Sequence, residues 1–332
     1  MDITQRRRDY SLDWLKTIGT LCLFLAHVEA PFWIKEIRGF DVPLMVFLSG
    51  LLATDSLSRA SSNGAYIWKR VRRLVIPTWI FLVFFYICMT IAGQLPDLET
   101  IAKSFLFQRD GGIAGYTWII WVYIICGILT PFLVKASKSK YSWIVILGLI
   151  CGYELLCSFT QLSRVRILYY TVFTVIPYGL FLFLAISYNR ITRKQKAAIA
   201  LGFLVFHTIY AIALNAVYGQ YISLGDYKYP ARIYYFSYAI PITIGLLELF
   251  RGKWLMKKPP ALVDFISRHS LWIYLWHIMV LAVLNYVLKI QNWVICYVLL
   301  VFLSISITYL QLCLVRFLQK KHSYGWLSYF MG

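Results

Sequence analysis

Long apolar runs return about every 25 to 35 residues along this chain, and each is close to the length that crosses a lipid bilayer. Hydrophobic residues make up 60% of the sequence and charged residues only 14%. A soluble domain of 332 residues would need far more polar surface. The pattern predicts an all-α polytopic integral membrane protein with ten transmembrane helices, at 12–33, 40–58, 73–93, 115–134, 142–161, 168–188, 197–217, 231–250, 270–288 and 293–317.

The basic residues between these runs predict how the chain is oriented. The N-terminus together with Lys16, every second loop and the C-terminus hold 24 Lys and Arg, and the alternate loops hold 9, which accounts for all 33. Basic residues concentrate on the cytoplasmic side of membrane proteins. We therefore expect both termini in the cytoplasm.

The remaining composition narrows the class of protein. The net charge of +19 lies between the apolar runs rather than along one soluble face, which argues against nucleic acid as a partner. Seven cysteines all fall in apolar runs without metal-ligand spacing, so we expect neither a disulfide nor a bound metal. The loops are short, and residues 1–332 are expected to form a single transmembrane domain.

The first apolar run, LKTIGTLCLFLAHVEAPFW, keeps two ionisable side chains, Lys16 and His27. Such side chains are costly in hydrocarbon and often mark a functional site. Eleven residues is about three helical turns, which would place both on one helix face roughly 16 Å apart. Alternatively, Lys16 extends to the membrane interface and His27 forms a hydrogen bond between helices.

Two further stretches carry polar groups at helical spacing. In WKRVRRLVIP, Arg70 and Arg73 are expected to share a face at the start of the third helix, where they either bind phosphate or only add cytoplasmic charge. In RHSLWIYLWHIMV, Tyr274 and His277 are expected to share a face, with Ser270 as the helix cap. Loop and elbow motifs of soluble enzymes are absent from the sequence.

Taken together, five short motifs resemble the acyltransferase 3 family of integral membrane acyltransferases. The motifs appear in the family's order, the resemblance extends over essentially the whole chain although the middle helices carry few marks, and Lys16 stands where the family usually has Arg. They are SLDWLKTIGTLCLFLAH with Asp13, Lys16 and His27; VPLMVFLSGLL with Ser49; KRVRRLVIP with Arg70 and Arg73; TWIIWVYIICGILTP with Trp118; and HSLWIYLWH with Tyr274 and His277.

The resemblance implies an enzyme of the plasma membrane, surrounded by membrane lipids, that moves an acyl group from acyl-CoA to a hydroxyl of a cell-surface or lipid-linked glycan. Acetyl-CoA would be the donor substrate, and no cofactor would stay bound. It implies that His27 is catalytic, and it marks a set of substrate-binding and a set of supporting residues. These are Lys16, Arg70, Arg73, Tyr274 and His277 for binding, and Asp13, Ser49 and Trp118 for support.

Two other functions fit the same apolar runs. A transporter of a glycan or of a lipid-linked precursor would use the two histidines to line a pathway. A structural partner of an envelope synthase would need no chemistry at all. Acyl transfer that depends on His27 would separate the enzyme from both.

The charge count generates a prediction about topology. A reporter fused to the C-terminus should behave as a cytoplasmic protein, because the basic loops favour that side. Activity or labelling of the C-terminal reporter on the outer side alone would contradict the predicted orientation.

Overall fold

A computed structural model describes residues 9–251, 258–321 and 324–331, and these fold into helices joined by short loops. Thirteen α-helices are found in the described ranges. They are α1 Ser11–Leu25, α2 Phe32–Ile37, α3 Asp41–Ser58, α4 Asn63–Ile91, α5 Leu98–Phe105, α6 Trp118–Ala136, α7 Ser142–Phe159, α8 Arg166–Tyr170, α9 Val172–Ser187, α10 Arg193–Tyr218, α11 Ile233–Phe250, α12 Ala261–Ala282 and α13 Trp293–Lys321.

The all-α membrane class is confirmed, with one difference in the number of spans. Within the described ranges, nine helices are long and apolar enough to cross a membrane, where the sequence predicted ten. The missing one is α1, whose 15 residues rise only about 22 Å, less than the roughly 30 Å hydrocarbon core. The basic residues at 6–8, 253 and 257 that entered the charge count lie outside the described residues.

The predicted first span, 12–33, is wrong at its C-terminal end. The helix stops at Leu25, and a turn carries the chain to Pro31, where α2 begins. The last turn of α1 closes with bonds from the Ala26 N–H to the Leu23 carbonyl and from the His27 N–H to the Phe24 carbonyl, and Pro31 then precedes the first residue of α2. His27 therefore lies two residues beyond the helix that carries Lys16.

Two other helices begin earlier than predicted. α4 starts at Asn63, where the Ser62 side chain accepts a hydrogen bond from the Ala65 N–H. Arg70 and Arg73 consequently lie inside this helix rather than at its start. α12 starts at Ala261 and is kinked at His269, so Ser270 is inside the helix and the predicted Ser270 cap is wrong.

Helix α1 is packed between α3 and α12. It runs parallel to α12, and two hydrogen bonds join them: Ser267 Oγ donates to Asp13 Oδ1 at 2.6 Å, and Thr17 Oγ1 donates to the Val263 carbonyl at 3.2 Å. Against α3 it runs antiparallel, with Gly19 facing Met45 so closely that a Cβ at Gly19 would lie 2.7 Å from the Met45 sulfur. Parallel packing places the ends of α1 and α12 at the same side of the bundle.

Helices α7 and α10 lie at the edge of the bundle and are mostly exposed. Glu154 of α7 accepts a hydrogen bond from the Ile233 N–H at 2.6 Å and forms a salt bridge with Arg232 at 2.9 Å, which ties α7 to the start of α11. Between α7, α9, α10 and α11 is an apolar cavity of about 550 Å³.

The contact between α3 and α9 predicts how two glycines differ. A Cβ at Gly50 would lie 2.6 Å from the Ala185 Cβ, whereas a Cβ at Gly148 meets nothing within 4 Å. Gly50→Ala should therefore destabilise the fold by about 1–3 kcal/mol through overpacking. Gly148→Ala is the control and should leave stability unchanged or raise it by up to about 1 kcal/mol. Thermal unfolding in detergent measures both, and equal stability of the two variants would contradict the close approach.

Candidate active site

The two histidines at the ends of α1 and α12 form a hydrogen-bonded pair. His277 Nε2 is 2.9 Å from His27 Nδ1, and the two rings lie at 20° with their centroids 4.9 Å apart. His277 is fully buried, and His27 is half-buried. His27 faces the protein interior rather than lipid.

The partners of the pair determine where its protons lie. His277 Nδ1 is hydrogen-bonded to the Tyr274 carbonyl, which can only accept, so His277 Nδ1 carries a hydrogen. In an uncharged His277, Nε2 then has a lone pair and must accept from His27 Nδ1–H. An uncharged His27 is left with a lone pair on Nε2, which is the arrangement of a base held by a second histidine.

Aromatic groups enclose this pair. Phe24 stacks on the His277 ring at 4.7 Å, and the Tyr116 ring lies 4.0 Å from that of His27. Tyr274 is buried, and its hydroxyl donates to the Tyr116 carbonyl rather than pointing at the histidines. Tyr274 thus holds the His277 ring through its own carbonyl and the 112–117 segment through its hydroxyl.

Cationic side chains that the sequence analysis did not single out lie near the histidine pair. The charges of Arg38 and Lys228 act on the His27 ring. Arg38 forms a 2.5 Å salt bridge with Asp41, which is fully buried at the start of α3 and also accepts from the Val42 N–H. Burial of its amine is the main cause that lowers the pKa of Lys228 to about 8, and Arg38 adds to this effect while Asp41 opposes it.

Trp118 lies at the same end of the bundle. The Trp118 ring meets the Tyr229 ring edge-on, with the centroids 5.4 Å apart. The Arg109 guanidinium lies over the same Tyr229 ring, 4.1 Å from its centroid. The structure therefore gives Trp118 a contact with the loop that carries Lys228. One signal for this loop was present in the sequence, namely a lysine within a tyrosine-rich stretch, GDYKYPARIYY.

The other predicted residues lie at the opposite end of α1. Arg70 Nη2 donates to Ser49 Oγ, and the Arg70 side chain fills the space that Gly127 leaves, where a Cβ would be 2.9 Å from Arg70 Cγ. Arg73 is exposed, and the charge of Arg70 acts on it. Arg70 and Ser49 are thus brought together, between α3, α4 and α6.

Lys16 is on the face of α1 that packs on α3. Lys16 is one turn before Gly19, and Gly19 faces Met45 of α3. Because the two helices are antiparallel, one turn back along α1 corresponds to one turn forward along α3, which brings Lys16 to about the level of Ser49. Asp13, one turn earlier still, is buried and bound to Ser267. The predicted residues therefore separate into two groups, one with His27 and one with Lys16.

A protein-family comparison identifies the family of the chain. The model of the acyltransferase domain of the acyltransferase 3 family matches residues 9–312. The chain belongs to the acyltransferase 3 family. No curated protein and no solved structure matches it at a significant level. Membership in the acyltransferase 3 family makes the protein a multi-pass membrane acyltransferase, as the sequence motifs predicted.

The histidine pair generates a prediction about tautomers. In the uncharged pair both rings should carry hydrogen on Nδ1, because the Tyr274 carbonyl fixes His277 and His277 in turn fixes His27. ¹⁵N chemical shifts of histidine-labelled protein measure this, with the two signals assigned by their loss in His27→Gln and His277→Gln.

His207 provides a reference outside the pair, since the Ser237 hydroxyl donates to the Tyr234 carbonyl and accepts from His207 Nδ1–H. An Nε2–H signal for His27 in the uncharged protein would contradict the assignment.

Proposed function

We propose that this acyltransferase moves an acyl group, acetyl first, from acyl-CoA to a hydroxyl of a cell-surface or lipid-linked glycan in the plasma membrane. The observation that carries the proposal is the His27–His277 pair. It leaves one imidazole nitrogen with a lone pair at the protein interior, next to a tyrosine-rich surface. A base of this kind is what a sugar hydroxyl needs to become a nucleophile.

The proposed reaction uses His27 as base and His277 as its support. His27 Nε2 takes the proton of the acceptor hydroxyl while that oxygen attacks the thioester carbonyl, and the tetrahedral intermediate then loses the CoA thiolate. The proton on His27 passes to the thiolate, which restores the pair. His277 accepts from His27 Nδ1–H throughout and so stabilises the imidazolium without taking its proton, as an orienting group does in a catalytic triad.

The group at the other end of α1 suits the anionic part of the donor. Arg70 donates to Ser49, Lys16 is at about the level of Ser49 on α1, and Arg73, which is exposed, adds a second guanidinium one turn from Arg70. Phosphates are bound by such charged donors, and Arg binds them with two parallel hydrogen bonds. Lys16 keeps the charge that the family usually supplies with Arg but binds as a point charge.

The proposal is tested with purified protein and labelled acetyl-CoA. Hydrolysis or transfer of the acetyl group that disappears in His27→Ala supports an acyltransferase with this donor. Mass spectrometry of envelope glycans from a strain that lacks the protein then identifies the acceptor through the acetyl groups that are lost. Movement of a glycan across the membrane without acyl chemistry would favour the transporter instead.

The separation of His27 from Lys16 predicts different defects in two variants. His27→Ala should abolish turnover and largely keep donor binding, since it removes the base. Lys16→Ala should chiefly weaken donor binding, by about tenfold for one lost charge-assisted contact, and Lys16→Arg should restore it.

Kinetics with varied acetyl-CoA and direct measurement of CoA binding distinguish the two defects. Equal loss of donor binding in His27→Ala and Lys16→Ala would refute this division of roles.

A further inference from the structure

Two cations at the histidine end of the bundle converge on one aromatic ring. The Lys228 amine is 5.5 Å and the Arg109 guanidinium 4.1 Å from the centroid of the Tyr229 ring. Both side chains line a small cavity of about 20 Å³ together with Trp118. This volume takes about one water-sized group, so it admits the oxygen of a charged group and not a whole sugar ring.

Neither cation has a carboxylate of its own. Among the described residues, no carboxylate oxygen lies within salt-bridge distance of Lys228 or Arg109. Asp41 is bound to Arg38 and to its own helix. Asp110, which follows Arg109 in the chain, is paired with Lys103 at 3.2 Å and with Arg166 at 3.4 Å.

Lys228 is half-buried without a counterion, which costs free energy, and the lowered pKa of its amine reflects this cost. Arg109 is exposed and lies at the edge of the same cavity. An incoming anion would remove the cost and gain charge-assisted hydrogen bonds. The excess of positive charge therefore indicates a ligand with a negative group. A neutral ligand would leave the charge of Lys228 uncompensated.

The cavity lies next to the histidine pair. Trp118, which lines the cavity, follows Tyr116 by two residues, and the Tyr116 ring lies 4.0 Å from that of His27. We infer that Lys228 and Arg109 bind an oxyanion group of the acceptor, a phosphate or a carboxylate, while an acceptor hydroxyl lies at His27. This inference rests on the proposed function and names a charge that the acceptor must carry.

Such an oxyanion has two sources, the phosphate of a lipid carrier or the carboxylate of an acidic sugar. The apolar cavity of about 550 Å³ adjoins the cationic one, since Ala231 lines both. A hydrocarbon chain placed in the larger cavity would bring its phosphate towards Lys228. This adjacency favours the lipid carrier, and the experiment separates the two sources.

The test measures binding of four probes to the full-length protein in lipid nanodiscs. Farnesyl phosphate is compared with farnesol, and methyl glucuronoside with methyl glucoside, so that each pair differs only at the anionic group. We expect a charged probe to bind at least about tenfold more tightly than its neutral partner, as one or two charge-assisted contacts supply. Preference for farnesyl phosphate identifies a lipid phosphate, and preference for the glucuronoside identifies an acidic sugar.

Variants then test whether the preference for the charged probe arises in the cavity lined by Lys228 and Arg109. Lys228→Gln and Arg109→Gln should each remove most of it, and Lys228→Arg should keep it, which separates loss of charge from loss of fold. The matched controls are Lys289→Gln and Arg164→Gln, which remove one charge from exposed loop positions and should keep the preference.

Three results would overturn the inference: equal binding within both probe pairs, equal losses in the control variants, or displacement of the charged probe by CoA, which would assign the cations to the donor. Acetyl-CoA turnover is measured separately on the same preparation. Absent turnover alongside a Lys228-dependent preference would contradict the proposed function and not the anion site.

Discussion

The hydrogen bond between His27 and His277 depends on the parallel packing of α1 and α12. Two helices that are 250 residues apart in the chain must end at the same side and in matching register for these rings to meet. Ser267 with Asp13 and Thr17 with Val263 fix that register near the start of both helices. In a membrane, where apolar faces gain little by leaving lipid, such interhelical hydrogen bonds and close packing determine how helices associate.

The short length of α1 also serves the contact between His27 and His277. Because α1 ends at Leu25, the chain can turn and hold His27 against α12 and Tyr116 instead of continuing towards the membrane surface. The following turn and α2 lead directly to Arg38 and Asp41 at the start of α3. The turn at 26–31 thus ends α1 at Leu25 and leads the chain to the first charged pair of the site, Arg38 and Asp41.

The sequence predicted the class of fold well because hydrocarbon length imposes a period that apolar runs must follow. It misjudged α4 and α12 because charged residues interrupt the first turns of both helices, Lys69 to Arg73 in α4 and Asp264 with Arg268 in α12, so hydropathy alone could not find Asn63 or Ala261. His27 and His277 were marked by resemblance, but their hydrogen bond is a tertiary contact that no local spacing predicts. Lys228 and Arg109 were counted as loop charges, and only the folded chain brings them to one ring.

The division of charge along α1 gives the proposed reaction its geometry. From Lys16 to the end of α1 the backbone rises about 14 Å, which is well short of the roughly 30 Å hydrocarbon core and of the same order as the pantetheine arm of CoA. If phosphates stay at the Lys16 end, only the slender arm and its thioester need to enter the bundle to meet His27. The acceptor then approaches from the other end, past Lys228 and Tyr229, so donor and acceptor need not compete for one opening. Under this arrangement the acyl group moves through part of the thickness of the helix bundle, while neither the donor nor the acceptor crosses the bundle. The cost of burying the charges of the two substrates in hydrocarbon is thereby avoided.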